Sequence, residues 1–377
     1  MTRHGWLGAV LAIVALVAGC GDDDDSDAGS AARSGDLAEM RQTLETYRAV
    51  PEFTAPGPAF DAREAAQGKT LLSIPASSAI PFVRTIQDGI HGLADEVGLG
   101  FVDWPNQGRP AQWVQGMSAA LDRKVDAVNL LAGINPKALG PQVQSAERAG
   151  IPTIVSHLYD INQTPAPGVE TVDIHYEQAG RLLADWVIDK TEADANALVV
   201  TINEVVSTEA MVKGIRGEFA DHCSGCKLSF TNVAIADVAT RIQPQVQSAL
   251  LKDPSINYVI ALYDSAEAPF VVAAIKAAAR QDQVKVVTFN GTPSVLKMVA
   301  DGDVEMDVGE NLDWISYGIM DQTLRILAGM KPVDDPKLPL RIFDQENVAE
   351  AGNPPKDGEG FGKGYQDEYR RLWQLSP

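Results

Sequence analysis

Lys69–Gly98 limits the choice of fold more than any other stretch of the chain. Lys69-Thr70-Leu71-Leu72-Ser73-Ile74 is a short apolar run of buried-strand length. Pro75 to Pro81 holds two prolines and two serines and reads as a loop. Ile86, Ile90, Leu93, Ala94 and Val97 then recur three and four apart, which is one face of a helix. Gly98 fits the position just past a helix end. A strand, a polar loop and a helix in that order form the repeating unit of a parallel sheet, and the chain goes on repeating it.

Further strands are predicted at Leu99–Val102, Ala127–Leu131, Pro152–Ser156, Glu170–Ile174, Ala197–Ile202, Leu228–Ala234, Tyr258–Leu262 and Lys285–Phe289. Val304–Gly309 reads as the last strand. Helices alternate with them at Gln112–Leu121, Pro136–Ala149, Gln178–Ile188, Thr208–Ala220, Asp237–Leu251, Asp264–Arg280 and Asp313–Ala328. Regular alternation implies an α/β fold of parallel sheets with helices on both faces. At 377 residues, two lobes are expected, with a cleft between them. Ligands in such folds bind beyond the carboxyl ends of the strands. Ahead of the body, Leu37, Met40, Leu44 and Tyr47 outline a short amphipathic helix, and Pro51–Pro58 reads as an extended connector along the outside.

The formal net charge of −20 argues against nucleic acid and anionic lipid as partners. Arg3 and His4 precede an apolar stretch, Trp6–Ala18, too short to span a bilayer as a mature helix. Val17-Ala18-Gly19-Cys20 resembles the lipobox of bacterial lipoprotein signal peptides. The resemblance implies a signal peptide over residues 1–19, cleavage before Cys20, and lipid on its sulfur. Gly21–Ser34 is an Asp-, Ser-, Gly- and Ala-rich linker. In an exported protein Cys223 and Cys226 pair with each other. Their place after a helix and before a strand suits a structural staple; an exported thiol-disulfide protein is the alternative. No nucleophile elbow, phosphate loop or zinc spacing is present in the sequence. The expectation is a binding protein with no enzymatic activity, no cofactor and no metal.

Ile80-Pro81-Phe82, Ala149-Gly150-Ile151-Pro152, Ala261-Leu262-Tyr263-Asp264 and Thr288-Phe289-Asn290-Gly291-Thr292-Pro293 together resemble the periplasmic sugar-binding proteins of ABC importers, type I and ribose-binding-like. The likeness runs from about Lys69 to Phe343. It implies two doubly wound parallel-sheet lobes joined by a three-strand hinge, with crossovers near Asp173, Glu310 and Pro332–Leu340. The implied division is an acidic linker and N-terminal extension over 20–68, lobe 1 over 69–173 with 311–335, and lobe 2 over 174–310 with 336–350. Residues 351–377 form a C-terminal extension.

The resemblance also implies a monomeric, extracytoplasmic receptor that is anchored by lipid, closes on a small polar, carbohydrate-like solute and serves an ABC permease. A sensor for a chemoreceptor or kinase is the alternative within binding proteins. The candidate ligand-binding residues are Phe82, His157, Tyr263, Asn290 and Glu310, which the resemblance aligns with ligand contacts of the family, together with Trp104 and Asp264, which stand at strand ends. Phe82 is either a ring-stacking aromatic or a helix-start residue packed into its lobe. Trp104 is either a second stacking face or a loop anchor. Asp264 is read as a helix N-cap, a ligand contact or both. Glu310 would meet a hydroxyl, a cation or solvent. The family's ring of asparagine, aspartate, arginine and glutamine is altered here. Ile80, His157, Leu158, Met211, Tyr263, Asn290 and Glu310 take those places. Loss of both arginines argues against a ribose-like aldopyranose. Ile80, Leu158 and Met211 are expected to line the cleft with apolar surface.

Overall fold

The computed structural model describes residues 37–375. Cys20, the signal peptide and the Gly21–Ser34 linker lie outside the described residues. The first sheet is parallel throughout and built from β1 (Thr70–Pro75), β2 (Gly100–Asp103), β3 (Ala127–Leu131), β4 (Thr153–Asp160) and β5 (Glu170–Ile174). Its order is β2-β1-β3-β4-β5. The second sheet holds β6 (Asn196–Thr201), β7 (Lys227–Asn232), β8 (Tyr258–Ala261), β9 (Lys285–Asn290), β10 (Met306–Glu310) and β11 (Leu340–Asp344), in the order β11-β10-β9-β8-β6-β7. All its pairs are parallel except β10 with β11. The predicted two-lobed α/β architecture is therefore present. The strand taken as last in the sequence is followed by β11, whose apolar pattern is broken by Arg341 and Asp344.

The strands read as apolar runs because helices cover both faces. In lobe 1, α3 (Pro81–Val97) and α11 (Leu312–Leu327) lie on one face of the sheet, and α4 (Pro110–Arg123) and α5 (Gly140–Arg148) on the other. In lobe 2, α6 (Tyr176–Lys190) and α7 (Ser207–His222) pack on one face. The other face carries α8 (Val238–Lys252), α9 (Asp264–Ala277) and α10 (Pro293–Asp301). The crossing of α6 and α7 is backbone against backbone. A Cβ on Gly180 would stand 2.2 Å from the Met211 carbonyl oxygen, and one on Gly214 2.2 Å from that of Glu177. Cys223 and Cys226 form a disulfide at the end of α7, just before β7.

The chain passes between the sheets three times: from β5 to α6, from β10 to α11, and over residues 328–339 to β11. Gln322 of α11 ties these passages, bonding the carbonyls of Thr171 and Val333. Both ends of the described chain make the same journey. The helix α1, over residues 37–48, lies on lobe 2, with Arg41 2.6 Å from Asp189 and Arg48 3.1 Å from Asp344. Phe53 then stacks on Trp314 and meets Tyr369 edge-on in lobe 1. The amides of Phe60 and of Ala62, which opens the short helix α2 (Ala62–Ala66), donate to the carbonyls of Leu372 and Trp373. At the other end the chain leaves β11 and reaches α12 (Gly364–Leu372), which is pinned to lobe 1 by Arg370 with Glu96 and by Trp373 Nε1 with Asp321.

Candidate functional site

The carboxyl ends of β3, β4, β8, β9 and β10 meet where the lobes face each other, as expected for ligand binding in an open α/β sheet. His157 stands near the end of β4 with φ of 55°, a conformation rare outside glycine. Its Nε2 is 2.9 and 3.1 Å from the two oxygens of Glu310, the last residue of β10. Its Nδ1 is 3.1 Å from the Tyr176 hydroxyl at the start of α6. Asn290 Nδ2 donates to Glu310 Oε1 at 2.8 Å. Phe82 meets the His157 ring edge-on at 5.0 Å. The imidazole and carboxylate are almost wholly buried, with side-chain exposures of 9% and 2%. Four of the residues singled out in the sequence thus form one contact group, and Phe82 belongs to it through His157.

Tyr263 lies nearby on lobe 2. Its hydroxyl bonds Ser207 Oγ at 3.0 Å and Thr208 Oγ1 at 2.8 Å at the start of α7. Burial pushes the Tyr263 and Tyr176 phenols above their ordinary range, so both are neutral hydrogen-bonding groups. Asp264 is not the N-cap of α9. That place belongs to Tyr263, and Asp264 opens the helix with its carboxylate turned to the next loop. One oxygen accepts from the Thr292 amide at 2.6 Å. From the other side, Asp307 accepts from the Gly291 amide at 3.1 Å. The two acids fix the loop that carries Asn290, and burial pushes the Asp264 carboxyl up to about 6.

Trp104 falls outside this group. Its indole nitrogen donates to the Gln112 carbonyl at 2.9 Å, and its ring covers Gly116 of α4. It anchors the loop after β2. Two of the three apolar replacements also point away from the cleft. Leu158 is 3% exposed in the lobe 1 core, and Met211 is fully buried beneath α6. Only Ile80, 44% exposed before α3, presents apolar surface outward. The left-handed backbone of His157 and the irregular register between Ser156 and Asp160 break the alternation of β4, so Val155, Leu158 and Tyr159 all enter the same core.

Sequence reasoning missed Tyr176 and a buried polar relay that stiffens lobe 1. Gln87 donates to Asp103 at 2.7 Å and accepts from Ser73 at 2.7 Å. Ser73 accepts from Asn129 at 3.2 Å, and Asn129 accepts from Ser156 at 2.8 Å. The relay crosses four strand positions and ends next to His157. Its only sequence signal was polar residues inside apolar strand runs. Among the described residues no cluster of His, Cys, Asp or Glu has the arrangement of a metal site.

The profile of the family described as periplasmic binding protein domain matches residues 72–331. The chain belongs to that family. The match begins within β1 and ends before β11. The ribose import binding protein RbsB of Salmonella typhimurium is 28% identical over 264 residues, covering 67% of this chain and 85% of the relative. The D-ribose/D-allose-binding protein of Pseudomonas aeruginosa is 26% identical over 267 residues, covering 68% and 81%. Among solved structures, a solute binding protein from Burkholderia graminis in complex with D-arabinose shares the fold. Its TM-score is 0.65 at 19% identity, over 75% of this chain and 97% of that one. A solute binding protein from Agrobacterium vitis with bound allitol gives 0.65 at 17% identity, over 76% and 98%.

Proposed function

We propose that this periplasmic binding protein is the solute receptor of an ABC importer, held outside the cytoplasm by lipid on Cys20. It closes its two lobes as a monomer on a small, neutral, polyhydroxy solute and presents the closed form to a permease. It binds without catalysing. The observation that carries this reading is the meeting of His157, Tyr176, Asn290 and Glu310 at the strand ends of two lobes. These groups offer donors and acceptors without a cationic side chain of the arginine type, which suits hydroxyls better than anions. The names of the relatives point to polyhydroxy solutes as a class, ribose and allose for the curated proteins and arabinose and allitol for the structures, while the loss of the family's arginines here favours a solute other than ribose. Closure needs a solute that binds the closed state more tightly than the open one.

The test is a thermal-shift screen with D-ribose, D-allose, D-arabinose and allitol, followed by calorimetry. At a hundredfold excess over Kd, a bound solute adds about 2.7 kcal/mol of stability. His157→Ala and Tyr263→Ala are each expected to weaken binding of the best hit at least about tenfold, with the fold intact by circular dichroism. A screen of neutral sugars and polyols without any shift would count against the reading. The anchor is tested separately: Cys20→Ala should move the protein from the membrane to the soluble fraction, and unchanged fractionation would remove the lipid from the account.

A further inference from the structure

His157 and Glu310 come from different lobes, yet they touch directly where a solute is expected. A carboxylate only accepts hydrogen bonds, so His157 Nε2 carries the proton between them. When the imidazole is neutral, Nδ1 is then the acceptor, and the Tyr176 hydroxyl donates to it. Glu310 therefore selects the tautomer, and the Tyr176 hydroxyl, which can donate or accept, completes it by donating to Nδ1. Asn290 occupies Glu310 Oε1 from the side. Phe82 and Tyr176 close on the ring at 5.0 and 5.8 Å. The backbone of His157 sits in the left-handed region, and the β4–β5 register is irregular between Ser156 and Asp160. A strained residue held at a cross-lobe contact is the kind of outlier from which function is inferred.

We infer that His157 and Glu310 form an internal plug, a cross-lobe bond that stands in for the solute and that the solute must enter. The inference rests on the receptor reading above and names what the site selects. A group inserted between the two must take a proton bond from Nε2–H and give one to the carboxylate. A single hydroxyl does both. An ammonium has only donors and leaves Nε2–H without an acceptor. A carboxylate has only acceptors and faces the Glu310 charge. In a buried site each unmatched group is costly, so the plug selects neutral hydroxyl-bearing solutes over charged relatives of the same size. Tyr176 acts through His157 and is a positioning residue.

Two measurements on the purified full chain test this. Long-range 1H–15N spectra of the solute-free protein should show His157 protonated at Nε2, with a slowly exchanging proton that disappears in Glu310→Ala. Tyr176→Phe should leave the Nε2 proton bonded to Glu310 and move the His157 Nδ1 resonance, whose hydrogen bond it removes, a change that loss of packing alone does not produce. A solute-free His157 with the averaged signals of a free imidazole overturns the plug.

Calorimetry then compares D-allose and allitol with glucosamine and glucuronate. The charged pair should bind at least about a hundredfold more weakly than the better neutral probe. Glu310→Gln, whose amide can donate, should narrow the gap for glucuronate. A charged probe binding as tightly as the neutral ones overturns the inference, as does sugar binding that leaves the His157 signals unmoved. If no probe binds while the bonded His157 proton is present, the plug stands and the receptor reading for these solutes fails.

Discussion

Asp173 sits at the end of β5, where the chain first leaves lobe 1. Thr171 donates to one of its oxygens at 2.8 Å, and the other is buried without a partner. Burial pushes this carboxyl up to about 7, Thr171 opposes the shift, and the nearby Asp160 adds to it. In the unfolded chain it titrates near 4. Between those values the folded protein holds a proton that the unfolded chain has lost. Stability is therefore highest below about pH 4 for this group and declines as pH rises toward 7. Asp173→Asn should flatten that part of the profile, by at most about 4 kcal/mol. Urea unfolding of both proteins at pH 5 and pH 8 measures it; an unchanged slope in the variant means Asp173 is charged throughout.

Single residues were the least legible scale. His157, Asn290 and Glu310 could be picked out because each stands at a strand's carboxyl end, where position alone predicts exposure to a ligand. Tyr176 could not, since a tyrosine opening a helix has no distinguishing spacing. Met211 and Leu158 aligned with ligand contacts, but their side chains turn inward, and an alignment of positions does not report the direction of a side chain.

At the level of elements, α6 and α7 touch only because Gly180 and Gly214 lack side chains. Gly180→Ala and Gly214→Ala each force a methyl into a backbone carbonyl, and overpacking of this kind costs about 1–3 kcal/mol or more. Denaturant titration should show a loss of that size for each. A neutral result would mean that the helices separate freely. The disulfide at the end of α7 closes only a four-residue span, Cys223 to Cys226. A loop so short removes little freedom from the unfolded chain, so reduction should cost about 2 kcal/mol or less and leave solute binding intact. Loss of binding on mild reduction would revive a functional role for the thiols. Elements were legible in the sequence because buried parallel strands are apolar runs and their helices are periodic. β11 escaped notice because Arg341 and Asp344 interrupt it and a proline-rich segment precedes it.

Across the whole molecule, three crossovers and two terminal segments make five passages between the lobes. Arg341 joins both terminal segments to lobe 2. Its side chain, 2% exposed, donates to the carbonyls of Arg48 and Gly360 and pairs with Glu350 at 2.5 Å. Arg341→Met keeps the volume and removes every one of these bonds. It should cost about 2–4 kcal/mol, because buried carbonyls lose their donors. Limited proteolysis should then cut within residues 49–60 before the lobes unfold. A variant as resistant as the parent would show that the aromatic contacts alone hold the segments.

The terminal segments also set a timetable. Lobe 1 is encoded first, yet its sheet is covered by α11 and braced by α12, at the far end of the chain. Lobe 2 has all its strands once Asp344 has emerged. During synthesis the beginning of this protein must wait for its end, and the half made later can be the half completed sooner. A stop codon placed just before Tyr365 would remove Tyr369 and Trp373 from the core that Phe53 and Tyr317 share with them. The damage would reach back to Phe53, at the opposite end of the described chain.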